Sequence, residues 1–125
     1  MKPEIERYEN ENGEIAVLIS PGYGAGWSTW NYSELCYDKR VVEFWMEHAD
    51  DEEYLCKLAK VNYDDAFRKE IDKMFESWGY REVYYGGFNQ IQIVWMRKGS
   101  VFRVAEYDGA EHIEMFNEAG WLVAR

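Results

Sequence analysis

The 125 residues predict a single α+β domain spanning 1–125, and three observations carry that prediction. The almost unbroken apolar run Ile15-Ala-Val-Leu-Ile19 reads as a strand covered on both faces. Residues 64–78 place Phe67, Ile71, Met74, Phe75 and Trp78 at helical spacing, which makes one apolar face. From Tyr80 onward the period falls to two, and the connections are so short that the strands must be mostly antiparallel. The expected architecture is a mostly antiparallel sheet, built from an N-terminal hairpin and a C-terminal meander, with two or three inserted helices packed on it.

Each element has its own signal. Residues 3–8 alternate loosely, and Asn12-Gly13 is a strong hairpin turn because both residues tolerate positive φ. A helix begins near Asp38 and sets Val41, Val42, Trp45 and Met46 on one side, with Glu43, Glu47 and His48 elsewhere. Asp50-Asp-Glu-Glu53 then supplies negative charge at the start of a short helix bearing Leu55, Leu58 and Ala59, a favourable match to the helix dipole. For the helix at 64–78, Asp64 or Asn62 can cap the start and Gly79 can close the end. Strands follow at 82–85, 90–96, 101–107, 111–116 and 121–124. Their turns lie at Gly86-Gly87, Lys98-Gly99-Ser100, Asp108-Gly109-Ala110 and 117–120.

Charge narrows the function. Twenty-four acids against fourteen lysines and arginines leave a formal net charge of −10, which disfavours broad contact with a nucleic-acid polymer or an anionic membrane. There is no apolar leader and no run of membrane-spanning length, so the expected location is cytoplasmic. Cys36 and Cys56 lack metal or disulfide spacing and are expected as free thiols. His48 and His112 are far apart, the acids are scattered, and no nucleophile–base pair or metal-ligand spacing stands out. The chain is expected to be a binding protein rather than an enzyme, with no cofactor and no metal.

The candidate binding element is the turn Gly22-Tyr-Gly-Ala-Gly26, followed by Trp27, Ser28, Thr29, Trp30 and Asn31. Gly22, Gly24 and Gly26 give close access to backbone N–H groups. Tyr23 and Trp27 offer flat faces, and Ser28 and Thr29 offer hydroxyls. The turn is neither a dinucleotide fingerprint nor a P-loop, since no Gly-Lys-Ser/Thr follows. The competing reading is a tight structural loop whose Trp27 and Trp30 cap the core. A second candidate is Phe88-Asn89, where an aromatic can stack a base and an asparagine can read its edge; the plainer alternative is a hairpin loop. Arg40 follows the glycine turn closely enough to reach an anion held there. Arg103, flanked by apolar neighbours on a strand, needs an anion, and a cross-strand bridge to Glu114 or Glu82 would supply one.

At residues 15–31, and again at Phe102-Arg-Val-Ala-Glu-Tyr-Asp-Gly109, the chain resembles small proteins carried by bacteriophages and prophages. Within that group it is similar to the first family of phage anti-Thoeris proteins, which sequester cyclic ADP-ribose-type signals. The resemblance implies an α+β protomer in a homo-oligomer, acting in the cytoplasm of an infected bacterial host. It also implies pockets where protomers meet, and a small cyclic nucleotide ligand bound and released unchanged. Trp27 or Phe88 would stack the adenine, and Asn89 and Arg103 with Arg40 would hold the ribose and pyrophosphate. A different class remains open: an acidic inhibitor that mimics nucleic acid and docks on a host defence protein. A virion or lysis accessory role is the third possibility.

Overall fold

In a computed structural model, residues 4–60 and 66–116 are described. The apolar run forms strand β1, Glu14–Ile19. Ala16 and Leu18 enter the main core, while Val17 and Ile19 face a second cluster on the other side. Side chains alternate along a strand, so an apolar run without alternation needs cover on both faces, and β1 has it.

The chain then crosses single 3₁₀ turns at Ser28–Trp30 and Ser33–Cys36 and enters helix α1, Lys39–His48. Asp38 caps α1 by accepting from the Arg40 N–H at 2.9 Å. Val41, Val42 and Phe44 are its buried residues, whereas Met46 is exposed. Helix α2, Glu52–Ala59, starts where the acidic run places it, with Asp51 accepting from the Tyr54 N–H at 3.0 Å and Leu55 and Leu58 buried. Helix α3, Ala66–Ser77, buries Ile71 and Phe75. The proposed caps Asn62 and Asp64 lie outside the described residues. Gly79 ends α3 at φ 99°, and the Gly79 and Tyr80 N–H groups return to the Glu76 and Phe75 carbonyls at 2.9 and 3.0 Å. This is a Schellman closure, and only glycine takes that φ at little cost.

Strands β2 (Gln92–Arg97), β3 (Phe102–Tyr107) and β4 (Ala110–Met115) follow. Among the described residues the fold is α+β with antiparallel pairing and three helices. The described strands form two two-stranded sheets, β1 with β2 and β3 with β4. The second hairpin lays Phe102, Val104 and Ile113 over Val17, Ile19 and Met96, covering the face of β1 turned away from the helices. Asp108 and Gly109 join β3 to β4 with φ of 48° and 84°, the positive pair that a two-residue type I′ turn requires. The Asn12-Gly13 turn is present. Its hairpin reduces to one isolated bridge, Glu9 with Ile15, because Asn10 turns the chain by accepting the Asn12 and Glu14 N–H groups on its side chain.

Residues 82–85 do not form the expected strand, because side chains have taken their backbone groups. The Arg68 guanidinium donates to the Val83 carbonyl at 3.0 Å, and the Asn31 amide pairs with both the N–H and the C=O of Tyr84 at 2.8 Å. The strand expected at 121–124 and its preceding turn lie outside the described residues.

Asp38 has a second role. Its buried carboxylate accepts from Arg40 Nε at 3.0 Å, Arg40 Nη2 at 2.7 Å and the Tyr80 hydroxyl at 2.6 Å. Burial pushes its pKa up, but the hydrogen bonds from Arg40 and then Tyr80 outweigh it and hold the group below its ordinary value. A depressed folded pKa gives stability that is complete above the unfolded value and lost as pH falls through the folded one. Urea midpoints are therefore expected to decline below about pH 4. Asp38→Asn should lower the neutral-pH midpoint and flatten part of that decline, and an unchanged acid limb would contradict this role.

Candidate functional site

The glycine–aromatic loop folds around an anion, and the anion belongs to the protein. Glu111, the second residue of β4, is 2% exposed. One of its oxygens accepts the Ser20 N–H at 2.8 Å. The other accepts the Trp27 N–H at 2.8 Å, the Thr29 N–H at 3.0 Å and the Thr29 hydroxyl at 2.6 Å. Convergent backbone N–H groups of this kind make an anion-binding nest. Because Glu111 fills it, a phosphate cannot use those donors without displacing a buried carboxylate. Gly24 N–H donates to the Asp108 carbonyl at 2.6 Å, and a Cβ on Gly109 would lie 2.5 Å from the Ala25 nitrogen. The loop and the β3–β4 turn thus lie against each other backbone to backbone, with no room for a ligand between them.

The stacking candidates are corrected by burial. Trp27 is fully buried, edge-on to Phe88 and Phe75 with ring centroids 5.2 and 6.2 Å away, and its indole N–H donates to the Leu35 carbonyl at 3.2 Å. Phe88 is likewise fully buried, between Trp27 and Phe44. Neither ring has a free face for a base. Arg40 is held by Asp38 as described, away from the glycine turn. Gly22 and Asn89 share a shallow hollow of about 480 Å³ with Pro21, Gln90 and Gln92; Asn89 is exposed there with its amide 3.8 Å from Cys56 Sγ. Gly26 is buried under Trp30, and Tyr23 stands 74% exposed at the loop tip.

Ser28, Thr29 and Arg103 do come together. They line a groove of about 830 Å³ between the 28–37 segment and residues 100–106, within the size of small-molecule sites. Arg7, Asn31, Ser33 and Tyr37 also line it. The Arg7 guanidinium lies over the Tyr37 ring at 4.5 Å, a cation–π contact that fixes the charge at the groove wall. Its acidic neighbours in sequence are engaged elsewhere, Glu6 with Lys39 and Glu9 with Lys98, each at 3.2 Å. Among the described residues no carboxylate pairs with Arg7 within 4.0 Å. Arg103 bridges to Glu114 at 2.6 Å, the cross-strand partner anticipated from the sequence. That hydrogen bond, followed by the one from His112, holds Glu114 below the ordinary carboxylate range.

Comparison with protein-family models, curated proteins and solved structures returns no match. The groove's chemistry therefore rests on its own residues. Cys36 is its one thiol. Burial first, and the Glu111 charge to a lesser degree, push it up to about 12 against the lowering effect of a hydrogen bond with Ser28. A thiol so far from ionising at neutral pH is not a nucleophile. Among the described residues no group of three His, Cys, Asp or Glu side chains is placed to hold a metal ion, and no helix is long and apolar enough to cross a membrane.

Two residues that organise this region escaped the sequence. Glu111 shares strand parity with Ile113, and an acid on an apolar face was the available signal. Arg7 shares parity with Ile5 but had no nearby motif to single it out.

Proposed function

We propose that this chain is a non-catalytic binding protein that sequesters a small phosphate-bearing nucleotide of the cyclic ADP-ribose type in the groove between β3 and the 28–37 segment. The resemblance to phage anti-Thoeris proteins supplies the biological setting, an immune signal withheld from a bacterial defence system. The observation that carries the reading is Arg7: a guanidinium stacked on Tyr37, without an acidic partner among the described residues, in a chain with 24 acids. The hydroxyls of Ser28 and Ser33 stand around the same space, and such groups suit ribose and phosphate oxygens. In this reading a second protomer closes the open side, which sedimentation velocity would detect as a dimer or larger species.

The test is retention. Protein incubated with ADP-ribose or a cyclic ADP-ribose isomer, freed of unbound nucleotide and then heat-denatured, should release the intact molecule. Arg7→Ala should weaken binding roughly 10–100-fold, the size of one charge-assisted contact, while leaving the circular dichroism and urea midpoint near those of the parent. Recovery of no nucleotide, or an Arg7→Ala variant with parental affinity, would sink the proposal.

The second reading, docking on a host protein, is favoured by exposed aromatics. Trp30 stacks on Tyr84 with centroids 5.7 Å apart, both rings are more than 40% exposed, and Tyr23 and Tyr107 are over 70% exposed. Capture of a host protein that Trp30→Ala abolishes, with no nucleotide retained, would decide for it.

A further inference from the structure

The groove runs along a strand edge that is unpaired among the described residues. Every residue from 100 to 106 lines it, so both faces of β3 contribute and the groove follows the strand lengthwise for roughly 20 Å. In an antiparallel pair, alternate residues turn both backbone groups toward the partner strand, and the ones between turn theirs away. The phase is fixed by the Phe116 N–H, which donates to the Val101 carbonyl at 2.7 Å, and by the two-residue turn after Tyr107. Val101, Arg103, Ala105 and Tyr107 therefore face β4. Phe102, Val104 and Glu106 present their N–H and C=O groups to the groove. Among the described residues no other strand pairs with β3 and no hydrogen bond reaches the backbone of those three.

An unpaired edge is a liability for aggregation unless something covers it. Here the opposite wall carries Arg7 and Tyr37, and the edge itself is not apolar surface but a row of donors and acceptors. Adenine offers the complement. Its amino group donates and the adjacent ring nitrogen accepts, the same paired pattern that one strand residue presents in reverse.

Resting on the nucleotide reading above, we infer that the β3 edge at Val104, flanked by Phe102 and Glu106, reads the Watson–Crick edge of an adenine while Arg7 holds the phosphate. Recognition of the base then depends on main-chain groups that no side-chain substitution removes. It also predicts that the ligand must keep its purine edge free, which excludes cyclic ADP-ribose itself, whose ring closes through adenine N1, and leaves ADP-ribose and cyclic isomers closed through a ribose hydroxyl.

The experiment compares ADP-ribose with its 1,N6-etheno derivative, in which that edge is blocked, by calorimetry and by amide spectra of ¹⁵N-labelled protein. ADP-ribose should bind roughly tenfold or more tightly than the etheno form, as expected for two lost hydrogen bonds. The amide protons of Phe102, Val104 and Glu106 should move most on binding, with Arg103 and Ala105 moving less. If both nucleotides bind equally and those three amides stay in place, the edge does not read the base, although the groove still binds nucleotide. If neither nucleotide binds to the folded protein, the nucleotide reading fails and this inference fails with it.

Discussion

Glu111→Ala is expected to destabilise the protein by about 3–5 kcal/mol, a large part of the 5–15 kcal/mol typical of a domain. Four donors converge on this carboxylate, three of them backbone N–H groups from positions 20, 27 and 29. Removing it strands those donors where water has little access, and each unsatisfied group costs about 1–3 kcal/mol. The sum is held below simple addition because the loop can relax toward solvent at Thr29, which is only partly buried. Glu111→Gln keeps the shape and one accepting oxygen, but turns an NH₂ group toward N–H donors, so it should fall between parent and alanine. His112→Ala, at an exposed neighbour on the same strand, should be close to neutral. Urea unfolding of the four proteins measures this directly. A Glu111→Ala midpoint within 1 kcal/mol of the parent would show that the nest is incidental.

The same carboxylate explains what the sequence could and could not disclose about the loop. Alternate glycines and small polar residues do make a cradle of N–H groups, and that chemistry was legible. Which anion fills the cradle was not, because Glu111 is separated from the loop by more than eighty residues and reaches it only through the docking of the β3–β4 hairpin on β1. A buried internal anion and a bound phosphate leave the same local signature.

Elements set by local spacing were legible in detail. Asp38 and Asp51 cap α1 and α2, Gly79 closes α3, and Asp108-Gly109 turns the β3–β4 hairpin. Residues 82–85 failed because alternation there reflects long-range tethering by Asn31 and Arg68 rather than a ladder. Of the binding candidates, Ser28, Thr29 and Arg103 line one groove. Trp27 and Phe88 do not, since an aromatic beside a glycine-rich turn looks the same in sequence whether it faces inward or outward. Arg7 was invisible for the opposite reason: its significance is that no described carboxylate pairs with it, and only the pairing of its neighbours with Lys39 and Lys98 reveals it.

Trp27 separates scaffold from site. Its ring is fully buried against Phe75, Tyr85 and Phe88, and its N–H satisfies the Leu35 carbonyl at the turn leading to α1. Trp27→Ala should therefore cost about 3–5 kcal/mol through the cavity it leaves, with the orphaned carbonyl adding to the loss. A loss of that size removes much of a small domain's stability, so Trp27→Phe carries the functional half of the test. Phenylalanine keeps most of the aromatic packing, gives up the hydrogen bond, and should cost roughly 1–3 kcal/mol while remaining folded at low temperature. Because Trp27 does not line the groove, Trp27→Phe should bind ADP-ribose with the parent's affinity per folded molecule, whereas Arg7→Ala should lose affinity and keep its stability. The reverse pattern, parental stability with lost binding in Trp27→Phe, would place the indole in the site and the groove outside it.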